Sequence, residues 1–173
     1  KIFVKILFSR LPIPYRFWKT IGMFRHGRMD SFEYPVKIFN LHVNRAYPNG
    51  LPNDSVILEL GPGDSIASAI LGYTNNVKLT YLVDVGTFAR NDVMFYKKLA
   101  NKLKQKGLPT PDLSSTTNIE DIIFACNAKY LTDGLASLKE IASNSVDFIW
   151  SHSVLEHVRK HEIDEILMEL FRI

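Results

Sequence analysis

Glycine and acidic residues stand at two points of this chain where a short apolar run ends. The segment 59–65 reads Glu-Leu-Gly-Pro-Gly-Asp-Ser and follows one such run directly, and Asp84 closes the next. Glycines let the backbone turn tightly and approach a ligand without a Cβ in the way. A carboxylate at the end of the second run can accept two hydrogen bonds from ribose hydroxyls. The spacing therefore predicts a nucleoside site that includes Glu59, Gly61, Gly63 and Asp84.

The glycine segment departs from the loops that bind pyrophosphate. A dinucleotide site would have a third glycine at position 66, where this chain has Ile66, and Pro62 has no N–H to offer a phosphate. These features favour a ligand with no phosphate and with positive charge near the loop, which Glu59 could complement directly or through water. S-adenosylmethionine (SAM), with its cationic sulfonium and α-amino groups, fits that description. A nicotinamide-dependent oxidoreductase is the disfavoured alternative.

Two further polar segments follow later strands of the chain. Asp133 and Gly134 come just after a weak strand at 128–131. Asp133 could accept a hydrogen bond from an adenine amino group, or the pair could simply form a turn. Ser151 and His152 end a stronger run and are expected near the point of methyl transfer. His152 is the candidate general base for an acceptor hydroxyl or amine.

The segment 151–158 reads Ser-His-Ser-Val-Leu-Glu-His-Val. Together with the glycine segment, it resembles class I SAM-dependent methyltransferases over roughly residues 54–173, and most of all their small-molecule, ubiquinone-pathway-like group. The resemblance implies a methyltransferase that moves a methyl group from SAM to a small-molecule acceptor and leaves S-adenosylhomocysteine as product. Carried over by position, the cofactor contacts fall on Glu59, Gly61, Pro62, Gly63, Asp84, Val85, Asp133, Gly134 and Ser151.

The chain also departs from this family at several positions. Ser65 stands where many relatives have a third small residue, glycine, and Ser153 stands where some have a metal-binding glutamate. No metal site is therefore expected, and Glu156 and His157 are interpreted as residues that cap and pack the closing helix. The remaining histidines have no metal-ligand spacing, and surface or core positions are expected for them: His26, His42 and His161. The resemblance also implies that the family's C-terminal strands are missing, which would leave the fourth strand as an exposed edge.

Alternating strand and helix patterns must position these residues. They predict an α/β fold, a Rossmann-like parallel sheet with flanking helices, whose ligands bind beyond the carboxyl ends of the strands. Gly72 is expected to end the first helix of this sheet, and Thr117 to begin a later one through a capping box with Glu120. In the closing helix, an apolar face is expected from Ile163, Ile166, Leu167 and Leu170.

Two regions are predicted, an N-terminal helical extension at 1–50 and a SAM-binding domain at 51–173. Residues 1–37 carry eight cations and two anions, a net charge of +6, so the remainder of the +3 chain carries −3. Aromatic residues and prolines interrupt this basic segment, and a helix packed on the sheet is its favoured interpretation. A lid over the cofactor and a peripheral contact with a membrane surface are alternatives, and nucleic-acid binding is not expected.

Composition sets the remaining bounds. A chain of 173 residues suits one domain, and its single cysteine excludes a disulfide framework and a cysteine-rich metal site. No apolar run is long enough to span a membrane, and no cleavage site follows the apolar start, so we expect a cytoplasmic location. The alternative to an enzyme is a non-catalytic SAM-binding domain or a subunit of a larger assembly. The acceptor and the oligomeric state are not predicted by any sequence feature.

Overall fold

Four short apolar runs form a parallel β-sheet in the computed structural model, which describes residues 31–173. The strands run in the order β3-β2-β1-β4, and every neighbouring pair is parallel. Their bounds are β1 Val56–Leu60, β2 Leu79–Val83, β3 Ala128–Leu131 and β4 Phe148–Ser151. The predicted α/β fold with a Rossmann-like parallel sheet is confirmed at this level.

Helices connect and flank the strands. Their bounds are α1 Glu33–Ala46, α2 Ala67–Thr74, α3 Val93–Gln105, α4 Ile119–Ala125, α5 Leu135–Lys139 and α6 Ile163–Arg172, with a 3₁₀ turn at Leu155–His157. Across the described residues, none of these helices combines the length and apolar character that crossing a membrane requires.

Both faces of the sheet are covered, because successive residues of a strand point to opposite faces. Ile57, Leu82 and Trp150 belong to one core, which α1, α2, α3 and α4 complete. Leu58 and Val83 belong to a second core, which receives residues from α5 and α6. Near-continuous apolar strands are what a sheet buried on two sides requires.

The strand order places a crevice at one end of the sheet. The chain moves outward from β1 to β3 and then crosses to β4 on the other side of β1. At such a reversal the connections leave β1 and its neighbour on opposite faces, and ligands bind beyond the strands' carboxyl ends. Those ends of β1 and β4 are Leu60 and Ser151, which are paired in register.

Two predicted helix ends are wrong by a few residues. Gly72 lies inside α2 and does not end it, since the helix continues to Thr74. A Cβ at Gly72 would overlap Thr80 Oγ1, so glycine here allows α2 to approach β2 closely. The capping box begins one residue later than Thr117: Asn118 Oδ1 accepts from Asp121 N at 2.8 Å.

Two further expectations from helical patterns also need correction. Leu167 belongs to the apolar face expected for α6, but the core does not cover it: Leu167 is 48% exposed, while Ile166 is buried. The prolines of the segment 1–37 were expected to interrupt it, yet one of them, Pro35, lies in the first turn of α1. That turn has no intrahelical bond for the N–H that proline lacks.

Helix α1 falls within the region predicted as the N-terminal extension and packs on the sheet. Phe39 and Val43 are buried, and the Phe39 ring meets the Trp150 ring edge-on with centroids 5.6 Å apart. Most of the basic, aromatic segment lies outside the described residues. Cys126, after α4, is 1% exposed, and burial raises its thiol pKa to about 12, as expected for an inert thiol.

The start of α2 depends on one tyrosine. Tyr96 of α3 is 1% exposed, and its hydroxyl accepts from Ile66 N at 3.2 Å and donates to Arg90 O at 3.3 Å. We expect Tyr96→Phe to lower the free energy of unfolding by about 1–2 kcal/mol, because a buried N–H loses its acceptor. Urea unfolding would measure this. Tyr73→Phe, at a half-buried tyrosine of α2, is the control, and an equal loss in both variants would contradict the prediction.

Candidate functional site

Two glycines shape the turn that leaves β1. Gly61 and Gly63 have φ angles of +77° and +61°, in the left-handed region that side chains disfavour. A Cβ at Gly61 would overlap the side chain of Val154, which follows β4, whereas a Cβ at Gly63 would meet no atom within 4 Å. The first glycine therefore packs against the neighbouring loop, and the second leaves open space where a ligand can approach the backbone.

Asp84, just beyond β2, joins that strand to the glycine turn. Its Oδ2 accepts from Gly63 N at 3.0 Å, and its Oδ1 accepts from Val85 N at 2.8 Å. Burial raises the pKa of this carboxyl, and the two backbone hydrogen bonds partly oppose that rise. The sequence placed Asp84 and the glycine segment in one site, and the fold brings them into direct contact.

Glu59 and Trp150 form a second polar pair at the same end of the sheet. They are register partners on β1 and β4. Both are buried, and neither Glu59 Oε2 nor Trp150 Nε1 has a hydrogen-bond partner among the described residues. Burial raises the pKa of Glu59 to about 7, with a smaller contribution from the charge of Asp84, while the Ser68 and Trp150 side chains oppose the rise. Orphaned buried polar atoms are rare and suit a site that receives a polar ligand.

Three carboxyl groups give the crevice a negative potential. The charge of Asp84 raises the pKa of Glu59, and the charge of Asp64 raises that of Asp84. A nearby negative charge raises the pKa of a carboxyl because it disfavours ionisation, and a cation placed beside these groups would reverse this effect. The electrostatics therefore favour a ligand with positive charge.

The backbone of the turn offers little to an anion. Five N–H groups between residues 61 and 67 already donate within the protein: those of Gly61, Gly63, Ser65, Ile66 and Ala67. Pro62 is buried and has no N–H. A phosphate cradle needs several such groups directed at the ligand. The structure therefore strengthens the case against a dinucleotide.

The residues predicted after β3 lie beside Asp84. Gly134, with φ +54°, donates its N–H to the backbone carbonyl of Asp84 at 2.8 Å. A Cβ at Gly134 would come within 2.9 Å of Val85 Cγ1, and Val85 is 77% exposed. Asp133 is also exposed, next to Gly134. These residues form one rim of the crevice, with an apolar side chain and a carboxylate open to solvent.

The loop after β4 forms the opposite rim. Ser151 donates its Oγ–H to Leu60 O at 3.1 Å, and Ser153 has φ +59°, a strained value for serine. Between them, His152 Nδ1 lies 3.3 Å from His42 Nε2 of α1. Sequence reasoning missed His42 because 110 residues separate the two histidines. A signal existed, since His42 lies three residues after the core residue Phe39, beside the buried face of α1.

Glu156 and His157 do not have the structural role expected for them. They lie on the exposed 3₁₀ turn Leu155–His157, while α6 begins only at Ile163 with Glu162 in the N-cap position. They therefore do not cap the closing helix. Within residues 31–173, no three His, Cys, Asp or Glu side chains lie close enough together to hold a metal ion.

Comparison with known proteins gives no relative for this chain: no protein-family model matches it, and neither a curated protein nor a solved structure shows a significant match.

Proposed function

We propose that this protein binds SAM at the carboxyl end of the sheet and transfers its methyl group to a small-molecule acceptor. The observation that carries the proposal is the pairing of a buried carboxyl at Glu59, whose Oε2 has no hydrogen-bond partner among the described residues, with the open glycine turn at Gly63. A buried carboxyl oxygen that lacks a partner suits a cationic ligand, and the turn has room for that ligand beside the backbone. The strand order β3-β2-β1-β4 matches that of nucleoside-binding Rossmann sheets, which supports the same interpretation.

The residues present fit the parts of SAM. Glu59 would complement the cationic amino acid portion, and Asp84 would accept from ribose hydroxyls in place of, or in addition to, its bond from Gly63. Val85 offers an apolar contact and Asp133 an acceptor for the adenine. SAM supplies a methyl group on a sulfonium, which is already activated for attack by an acceptor lone pair.

The protein's own contribution is positioning. Aligning the acceptor with the methyl group converts an encounter between two molecules into a reaction within one complex. Ser151 and His152 lie on the rim where such an acceptor would enter, and His152 can take a proton from it. The two rims thus have different roles in this proposal: the rim beside Asp84 holds the nucleoside, and the rim formed by the loop after β4 receives the acceptor.

Calorimetric titration with S-adenosylhomocysteine tests the proposal. We expect the full chain to bind in the micromolar range, about −8 kcal/mol. Asp84→Ala should weaken binding at least about tenfold, because it removes a charge-assisted hydrogen-bond acceptor worth about 1.5–3 kcal/mol. Asp164→Ala, at an exposed aspartate of α6, is the matched control and should bind like the wild type.

Absence of binding to a folded, monodisperse wild-type chain would overturn the proposal. Binding that Asp84→Ala leaves unchanged would reject this site as the place where the nucleoside lies. Binding without methyl transfer to any acceptor in a panel of hydroxyl, amine and carbon acids would favour the alternative, a SAM-binding domain without turnover.

A further inference from the structure

Two histidines from distant parts of the chain meet at the rim formed by the loop after β4. Besides the 3.3 Å approach of His42 Nε2 to His152 Nδ1, their rings meet edge-on at 77° with centroids 5.5 Å apart. Both side chains are half-buried. A hydrogen bond at this distance needs one nitrogen with a proton and one without, so the tautomers of the two rings depend on each other.

The backbone around His152 is held in place on both sides. Ser151 is bonded to Leu60 at the end of β1, and Val154 lies against Gly61 at the start of the glycine turn. Ser153, between His152 and Val154, adopts the strained left-handed conformation. The backbone on both sides of His152 is therefore held against the end of β1 and the glycine turn, and the ring of His152 contacts that of His42.

We propose that His42 is a positioning residue that orients His152 as the base for the acceptor, an inference that rests on the proposed function. His42 Nε2 accepts the Nδ1–H of His152, which leaves His152 Nε2 without a proton and available to the acceptor. In water the histidine tautomer with the proton on Nε2 usually prevails, so this direction of the hydrogen bond places both rings in the less common Nδ1–H form. An acceptor that needs this base is a hydroxyl or amine that loses a proton on methylation.

The proton released on methylation passes from the acceptor to His152. As the acceptor's lone pair forms its new bond to the methyl carbon, the bond between that carbon and the SAM sulfur breaks, its electron pair stays on sulfur and S-adenosylhomocysteine leaves, while the acceptor's proton passes to His152 Nε2. His152 becomes an imidazolium whose Nδ1–H is already held by a neutral acceptor on His42. Burial lowers the pKa of His42, and the charges of His152 and Arg45 lower it further. His42 therefore stays neutral and keeps its acceptor nitrogen while His152 is charged.

Nuclear magnetic resonance of the imidazole ¹⁵N nuclei in the full chain tests the proposal without needing turnover. We expect His152, assigned by comparison with His152→Gln, to carry its proton on Nδ1 in the neutral wild-type protein. His42→Leu should return His152 mainly to the Nε2–H tautomer. His42→Gln, whose amide oxygen can accept near the position of Nε2, should preserve the Nδ1–H form. A wild-type His152 with its proton on Nε2, or a tautomer that His42→Leu leaves unchanged, would overturn the proposal.

Kinetics on an acceptor found in the panel adds a second readout. His42→Leu should lower kcat about 10- to 100-fold, up to the low end of the roughly 10²- to 10⁴-fold that a general base contributes, with the KM for SAM unchanged and with partial rescue in His42→Gln. Binding of S-adenosylhomocysteine should be the same in wild type and His42→Leu. If the wild-type protein does not bind S-adenosylhomocysteine, the proposed function is rejected. If it binds and His42→Leu has the wild-type kcat, only the role of His42 is rejected. If His42→Leu does not fold, the wild-type tautomer and His42→Gln still decide the question.

Discussion

Replacing Glu59 by glutamine is expected to make the ligand-free protein more stable at pH 8 and to abolish its binding of S-adenosylhomocysteine. The Glu59 carboxyl is buried, and burial raises its pKa from 4.5 to about 7. The folded protein therefore holds the proton more tightly than the unfolded chain does. The stability that this group contributes is complete below pH 4.5 and is lost as the pH rises to about 7. The loss is on the order of 3 kcal/mol, the free energy of a shift of this size.

Unfolding in urea at pH 5 and pH 8 would measure this effect. The wild-type free energy of unfolding should fall between the two values more than that of Glu59→Gln, whose side chain does not titrate. Asp84 has a raised pKa as well and acts in the same direction, so the difference between the two proteins is the quantity to compare. Glu140→Gln, at an exposed glutamate, is the control. Parallel pH profiles for wild type and Glu59→Gln would contradict a buried, protonated Glu59.

The same substitution tests why the site keeps an acid that destabilises the fold. A cationic ligand should ionise Glu59, so binding near pH 7 should release a proton, and the affinity should rise with pH through that region. Glu59→Gln should lose the proton release along with the affinity. Titration in two buffers of different ionisation enthalpy would detect the released proton, and tight binding by Glu59→Gln would show that no charge at this position is needed.

Substituting Gly61 by alanine should lower the free energy of unfolding far more than the same change at Gly63. Both glycines have a left-handed backbone, which costs alanine about 1–2 kcal/mol. Only at Gly61 would the new Cβ overlap a neighbour, Val154, and relieving such an overlap costs a further 1–3 kcal/mol, roughly. We therefore expect a loss of about 3 kcal/mol for Gly61→Ala and about 1 kcal/mol for Gly63→Ala.

The two alanine variants should also separate stability from binding. Gly63→Ala retains the fold but places a methyl group in the open space proposed for the ligand, so it should weaken binding of S-adenosylhomocysteine. Urea unfolding and titration of both variants would provide the comparison. Equal losses of stability would mean that the contact between the glycine turn and Val154 is unimportant.

The features that the sequence predicted well are those encoded within a few residues. The strands were recognisable as apolar runs. Gly61 and Asp84 were recognisable because each directly follows such a run, and Gly63 because it lies two residues beyond Gly61. Their meeting then follows from the parallel sheet, because the carboxyl ends of neighbouring parallel strands share one edge. A local signal plus one rule of topology was enough for this part of the site.

The features that the sequence missed depend on contacts between distant elements. Gly72 resembles a helix stop, but its role is to let α2 approach Thr80 on β2. Leu167 fits the helical period of α6, yet it points away from the core, because period alone does not fix which edge of an apolar stripe is covered. No motif around His42 in the sequence indicates a function. Its candidate role appears only in the fold, where α1 brings it within 3.3 Å of His152.

The two sides of the crevice are closed by contacts that span very different lengths of chain, and this difference predicts the order in which they fold. The bond between Gly63 and Asp84 spans 21 residues, whereas the bond between Ser151 and Leu60 spans 91. Closing the longer loop costs about 1.3 kcal/mol more in chain entropy, and during synthesis its second strand emerges much later. We therefore expect the half of the crevice proposed for the nucleoside to form before the half proposed for the acceptor, so that a nascent chain would complete the first before the second.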